Sequence, residues 1–367
     1  MAQSLPIRLA DPIELPQGFT RLSGVIELGD RVIVADRGES TLWKVDFATG
    51  TGKRVLRQGE GPGEYRDPGR LFQSSRDTAV LFDAVLKRFT VLGPDLRYVR
   101  SRVFGRAASA RVRGLDHEGH LFYEETTADF QRPPPAGFLR GARGGESPIA
   151  LVPVLRVNLE TLAPDTICFV RLPPRRTDQR SMVAETPGAF GLGVPFGEQD
   201  DWTLDPAGLV AVVRATPYRV EWYRGAERVD ISPVITDLRV AVTEADKEAW
   251  WDRMRQDSII LLDCRREPCV ATAVHRPVRP TEWPRTKNPF EPGLLVLSAT
   301  GGLWISRAGS AADTRTVYDV VTRGVGVQQV VLSPGRRVEH VGERFAYVSY
   351  EDEDGLRHLV RYRLLDP

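Results

Sequence analysis

Short apolar runs separated by polar turns recur along this chain in a fixed order. Each unit has an apolar strand, a turn of two or three residues with Gly or Asp, a second strongly apolar strand, a polar loop and a third strand. The first copy takes 24–28, the turn Gly29-Asp30, 32–35, the loop 36–40 and 42–45, with 53–56 as a short fourth strand. The second takes 70–73, the turn Arg76-Asp77, 79–82, the loop 83–87, 88–92 and then 98–100. The two turns lie 47 residues apart (77 − 30). That is the size of a propeller blade, four strands of about five to six residues plus short loops.

The third copy runs 112–115, turns at Glu118-Gly119 and continues over 121–123. Its next loop swells across 124–147, with Pro133-Pro134-Pro135 inside it, before strands at 151–157 and 166–170. A Pro-, Arg- and Gly-rich loop (172–198) precedes the fourth copy: 202–204, 209–213 and 218–223. Thr243-Glu244-Ala245-Asp246 is a capping start for one inserted helix, with Trp250, Trp251 and Met254 as its packing face. An apolar run at 258–263 has no assigned place. The fifth copy takes 294–297, 303–306 and 317–321; the sixth takes 338–341, 345–348 and 358–364. The sixth stops one strand short. Residues 7–9 or 13–15 are free to supply that outer strand, closing a ring and removing an exposed edge.

The expected fold is therefore all-β: a six-bladed β-propeller of four-stranded antiparallel blades, closed by the N-terminal strand. It forms a single domain over 1–367, with insertions at about 124–148 and 243–258. The long gaps between copies three, four and five leave room for a seventh blade.

Gly59-Glu60-Gly61-Pro62-Gly63-Glu64-Tyr65-Arg66-Asp67-Pro68 marks the passage between the first two blades. Three alternate glycines and two prolines exclude helix or sheet interior and demand a tight turn. Gly59, Gly61, Gly63, Tyr65 and Pro68, followed by Asp83 and Arg88, resemble the NHL repeat. There a glycine-rich turn, an aromatic and a proline precede a strand ending in Asp, with Arg five residues later. Asp36 keeps the pattern, but Thr41 replaces the Arg. The chain also resembles a bacterial six-bladed propeller family carrying Gly-x-Gly-Pro-Gly-Glu-Tyr/Phe, mostly exported and without assigned activity. The resemblance implies a propeller and a periplasmic or secreted location, and it implies no chemistry.

Composition narrows the partners. Fifty basic and 49 acidic side chains nearly cancel, so no nucleic-acid affinity is expected. No run reaches the ~18 apolar residues of a membrane span. Residues 1–6 lack the basic start and apolar core of a signal peptide; without a lost export signal the location is cytoplasmic. Of Cys168, Cys264 and Cys269, the last two are spaced to close a small disulfide or to remain free thiols. The odd count and the lack of a CxxC pair argue against zinc.

Loops joining second to third strands, and blade to blade, share one face of a propeller. On it Arg37, Arg214 and Arg307 sit where second strands end, and could converge on an anion. The competing reading pairs them with Asp36, Glu39 or Asp313. Glu64 and Arg66 are further ligand candidates; Tyr65 reads as packing, and Asp83 with Arg88 as a loop clasp. The acidic run 351–354 reads as a solvated hairpin tip. His117, His120, His275, His340 and His358 form no HExxH pair, and no Gly-x-Ser-x-Gly elbow occurs. No catalytic residue, metal or cofactor is expected. The expected function is a monomeric, non-enzymatic scaffold recognising a protein, peptide or anionic small molecule on the loop face. The alternative is a metal-dependent hydrolase or lyase of the lactonase-like kind.

Overall fold

The computed structural model describes residues 7–104, 110–125, 151–158, 161, 163–173, 193–236, 239–255, 259–263, 270–275, 279–310 and 315–365. The chain opens with β1 (Arg8–Glu14), which belongs to the last blade. Blade 1 is β2 (Leu22–Leu28), β3 (Arg31–Asp36), β4 (Thr41–Asp46) and β5 (Thr51–Arg54). In the glycine stretch β6 (Arg57–Gln58) and β7 (Glu64–Tyr65) make a short parallel pair. Blade 2 is β8 (Pro68–Ser75), β9 (Thr78–Asp83), β10 (Arg88–Leu92) and β11 (Tyr98–Val103). Blade 3 is β12 (Ala110–Leu115), β13 (His120–Glu125), β14 (Leu151–Asn158) and β15 (Pro164–Arg171). Blade 4 is β16 (Asp201–Leu204), β17 (Leu209–Ala215), β18 (Tyr218–Arg224) and β19 (Glu227–Ile231). After helix α1 (Glu244–Met254) comes a two-stranded hairpin, β20 (Ile259–Asp263) and β21 (Val270–His275). Blade 5 is β22 (Phe290–Leu297), β23 (Gly302–Arg307), β24 (Thr316–Thr322) and β25 (Gly326–Leu332). Blade 6 is β26 (Arg337–Val341), β27 (Phe345–Glu351) and β28 (Arg357–Leu365), completed by β1.

The innermost strands close a ring. β2 touches β8, and the contacts continue through β12, β16, β22 and β26 back to β2. The two sequence candidates for the closing strand turn out to be one strand. β1 runs from Arg8 opposite Leu365 to Glu14 opposite Val360, with a register shift between Ala10 and Ile13. Beyond it, Phe19 and Arg357 exchange backbone hydrogen bonds of 2.8 and 2.7 Å. The unplaced apolar run becomes β20, which pairs with β21 alone, so the described residues contain no seventh four-stranded sheet.

Six apolar clusters fill the six seams between neighbouring blades. The seam of blades 1 and 2, for example, joins Ile33 and Leu42 to Leu71 and Leu81, and that of blades 6 and 1 joins Val34 to Tyr347. A blade is thus buried on both faces, which is why second strands read as continuous apolar runs. All seven residues of β17 (Leu-Val-Ala-Val-Val-Arg-Ala) are buried. Outer strands β19 and β25 escaped the sequence pattern because β19 is almost wholly exposed and β25 buries only Val330 and Leu332. Helix α1 starts as expected: the Thr243 hydroxyl accepts from the Asp246 amide, and the Asp246 carboxylate accepts from the Thr243 amide. Trp250 packs edge-on against Trp283 at 5.6 Å. Most of the 124–148 insertion, and Cys264 and Cys269 with their suggested disulfide, lie outside the described residues. Cys168 is a buried free thiol, pushed up to about 12 by burial.

Candidate functional site

Connections differ sharply between the two faces. On one face every link within a blade is two to five residues long, such as 29–30, 76–77, 116–119 and 205–208. From the other face leave the long segments 126–150, 172–200 and 232–289, the last containing α1 and the hairpin. Loops, unlike buried strands, tolerate insertion and carry recognition.

On this loop face the turns between second and third strands are bonded to the segments that lead in from the preceding blade. The Asp36 carboxylate accepts from the amides of Thr20 (2.8 Å) and Arg21 (2.9 Å), and from Gly38 (3.0 Å) in its own turn. Asp83 repeats this with Arg66 (2.6 Å) and Asp67 (3.2 Å) on one side, Val85 (3.0 Å) and Leu86 (2.9 Å) on the other. A short acceptor at the end of the second strand gathers amides that the turn would otherwise leave unpaired. Arg88 does not pair with Asp83. Its guanidinium donates to the carbonyls of Glu60 (2.8 Å) and Glu64 (2.6 Å), holding the glycine stretch. The three glycines have a local cause. Glu64 folds back so that its Oε2 accepts from the Gly61 amide at 2.9 Å, and a Cβ on Gly59 would stand 2.1 Å from that oxygen. Gly63 has φ +75°, a left-handed turn position. Tyr65 is buried, and its hydroxyl accepts from the Leu42 amide at 3.0 Å. Pro68 opens β8, and its carbonyl accepts from the Ser23 hydroxyl at 2.6 Å.

The three arginines occupy successive, not equivalent, positions: one past the end of β3, one before the end of β17, and the last residue of β23. Blade 1 stands across the ring from blade 4, while blades 4 and 5 are neighbours. Arg37 forks onto Asp67, Nε to Oδ1 at 2.9 Å and Nη2 to Oδ2 at 2.7 Å. Arg214 is buried among Glu221 (2.9 Å), Asp200 (2.9 Å), the Phe169 carbonyl (2.7 Å) and the Tyr223 hydroxyl (3.2 Å). Burial opposes its charge, but Asp200 and Glu221 more than offset this and raise its pKa; burial likewise raises Glu221, and Arg214 reverses that and lowers it. Arg307 donates to Asp319 at 2.7 Å and to the Thr236 carbonyl at 3.2 Å. An added anion would have to displace these carboxylates. The partners are Asp67, Asp200, Glu221 and Asp319, where the sequence suggested Asp36, Glu39 or Asp313, the last of which lies outside the described residues; all four are distant in sequence or buried within a strand, and no local spacing points to them. Of the remaining candidates, Arg66 pairs with Glu60 at 2.6 Å and is exposed, and the Glu64 carboxylate meets Arg57 at 3.3 Å.

Sequence reasoning missed a buried polar group under this face. Arg113 on the inner strand of blade 3 bonds Glu124 (3.1 Å) and Asp201, whose other oxygen accepts from Gly293 in blade 5 at 2.6 Å. Trp202 donates to the same Glu124 oxygen at 2.9 Å. The acidic tip 351–354 behaves as a hairpin turn, with Asp352 accepting from Asp354 (3.0 Å) and Leu356 (2.9 Å). On the opposite face, the turn between β12 and β13 brings Asp116, Glu118 and His120 together. Their ligand atoms lie within 4.8 Å of one another, a donor set able to hold a metal ion.

No protein-family model matches the chain, and no curated protein sequence matches it. Solved structures do match in fold. A member of the DUF4221 family from Bacteroides vulgatus ATCC 8482 gives a TM-score of 0.53 at 7% identity, covering 99% of both chains. A Bacteroides fragilis NCTC 9343 protein described as exported gives 0.47 at 8% identity, covering 100% of this chain and 98% of that one. Virginiamycin B lyase from Staphylococcus aureus gives 0.43 at 9% identity, covering 98% and 100%. The chain is similar to these proteins in its propeller architecture.

Proposed function

We propose that the protein is a non-enzymatic binding scaffold whose loop face takes a protein or peptide partner. The observation that carries this reading is the asymmetry of the ring. All long connections leave from one face, and the turns there are fixed to one another by carboxylate and guanidinium bonds. A surface fixed before binding loses less conformational freedom when it binds. Its exposed side chains are mixed. Arg37 and Arg66 are accessible, and the same face exposes Val85 (58%), Val103 (72%), Val234 (64%) and Leu356 (40%) around the ring. A face that mixes exposed apolar side chains with accessible arginines suits a protein segment better than a small anion. Arg214 and Arg307 shape the platform, and Arg37 and Arg66 meet the partner. The competing hydrolase or lyase reading needs a metal at the mouth of the loop face, whereas Asp116, Glu118 and His120 hang from the other face. No helix among the described residues is long and apolar enough to cross a membrane.

The test is selection of a displayed peptide library on the immobilised protein, with binding of the enriched peptides remeasured on variants. Arg37→Ala/Arg66→Ala and Val85→Asp are expected to weaken binding at least tenfold. Arg76→Ala, on the opposite face, is expected to leave it unchanged. No enrichment, or loss of binding only in the Arg76 variant, would refute the proposal.

A further inference from the structure

Each blade ends in an outer strand whose far edge pairs with no other strand: β5, β11, β15, β19, β25 and β1. Such an edge is a row of free backbone donors and acceptors, and proteins blunt it with charge, proline, shortness or a break in register. Five of these six edges are blunted. β1 holds Pro12 and a register shift between Ala10 and Ile13. β5 has four residues, among them Lys53 and Arg54. β11 carries Arg100 and Arg102, and its pairing with β10 shifts between Val91 and Leu92. β15 opens on Pro164-Asp165, ends on Arg171 and shifts opposite Val154 and Leu155. β19 carries Glu227, Arg228 and Asp230 and shifts opposite Trp222 and Tyr223.

β25 has none of these devices. It reads Gly-Val-Gln-Gln-Val-Val-Leu, seven residues without charge or proline. It pairs with β24 over its whole length, from Thr316 opposite Leu332 to Thr322 opposite Gly326, with no shift. Val330 and Leu332 are buried in the seam with blade 6. Alternate residues point to the other side of a sheet, so Val327 (38% exposed) and Val331 (57%) stand there together, with Gln329 between them. Gln329 donates to Asp319 at 3.2 Å, and Arg323 in the preceding turn is already paired with Asp230 at 3.3 Å.

We propose that β25 is a dimer interface, pairing antiparallel with the β25 of a second copy of this chain. Centred on Gln329, this pairing sets Val327 opposite Val331 of the partner subunit, and Val331 opposite the partner's Val327. It joins two four-stranded blades into one continuous sheet and removes both open edges. A second copy is the occupant because the strand is self-complementary. Without charge it can face itself, whereas β5 or β11 paired with itself would bring only basic side chains together. The edge lies on the outer rim of the ring, so the loop face stays open and the proposal does not depend on the partner surface described above. It replaces the monomer expected from the sequence.

Sedimentation equilibrium of the whole protein over a range of concentrations tests this. An edge of seven residues is a small contact, so a reversible monomer–dimer equilibrium is expected. Val327→Lys/Val331→Lys sets like charges opposite each other and is expected to weaken dimerisation at least tenfold. Val327→Lys/Val331→Glu sets opposite charges there and is expected to keep it. Val99→Lys, at an exposed position on the outer strand of blade 2, is expected to leave it unchanged. Circular dichroism checks that each variant folds. A monomer from micromolar to near-millimolar concentration would overturn the proposal and leave the edge to an extended segment of another protein. An unaltered dimer in the double-lysine variant, or equal loss in both double variants, would overturn it as well.

Discussion

Oε2 of Glu27 occupies the place where a side chain on Gly342 would begin: a Cβ there would stand 1.8 Å from it. Glu27 belongs to the inner strand of blade 1, and Gly342 follows the inner strand of blade 6. Gly342 is not in the left-handed region, so space and not backbone conformation demands glycine here. The first and last blades are thus fitted together at one carboxylate. Gly342→Ala should cost about 1–3 kcal/mol by overpacking. Adding Glu27→Ala should recover part of that loss, with a coupling of about 0.5–3 kcal/mol in a urea-denaturation double-mutant cycle. Additive losses would contradict the contact.

Glu27 also sets a pH dependence. Burial raises its pKa above 4.5; Arg344 lowers it in part, and Glu343 raises it further. A carboxyl raised in the folded state binds its proton more tightly there, so stability falls as pH rises from 4.5 through the raised value. Glu27→Gln should therefore be more stable than the parent at pH 7, with the advantage vanishing below pH 4.5. Melting temperatures of both proteins across pH 4 to 8 check this.

Helix α1 is fastened to the ring by a buried pair, Lys287 to Asp246 at 2.8 Å. Burial opposes ionisation of Asp246, but hydrogen bonds from Lys287 and from the Thr243 amide and hydroxyl more than offset it and hold the carboxyl at about 2. Its contribution is full above pH 3.8 and is lost as pH falls through about 2. At neutral pH, Asp246→Asn leaves a buried ammonium without its charge partner and should cost about 3–5 kcal/mol. The edge-on Trp250–Trp283 contact should go with it, seen as a loss of near-ultraviolet circular dichroism.

The clasp on the glycine stretch gives an ordered pair of effects. Asp83→Ala strips the acceptor from four amides and should cost about 2–4 kcal/mol. Arg88→Ala frees two carbonyls that face solvent more and should cost about 1–2 kcal/mol. Arg88→Lys should not restore the loss, since one ammonium cannot span both carbonyls as the fork does. Chemical denaturation of the three variants checks the order.

The fold was legible where the chain's pattern is set by burial on both sides. Second strands such as β3 and β17, and turns such as Gly29-Asp30, mark the blades directly. Outer strands were not: in β19, Val229 and Ile231 are 39% and 40% exposed, so nothing distinguishes Glu-Arg-Val-Asp-Ile from a loop. The clasp was partly legible. The spacing of Asp83 and Arg88 read as a loop clasp, but each binds backbone groups of the 59–68 stretch and not the other. The partners of Arg37, Arg214 and Arg307 were illegible, because Asp67 and Asp200 arrive from inter-blade segments that only the closed ring brings near. Asp116, Glu118 and His120 were missed for a different reason. Their i, i+2, i+4 spacing lies across the turn between β12 and β13 and matches none of the HExxH, CxxC or Asp-x-Asp-x-Asp-Gly patterns.

Hydrogen–deuterium exchange of the whole protein with and without a selected peptide tests the central claim most directly. Binding at the loop face predicts new protection in the turns 36–41 and 83–88 and around 59–67, with the short turns 29–30, 76–77 and 205–208 unchanged. Protection confined to those short turns, with the loop-face segments unaltered, would contradict the account.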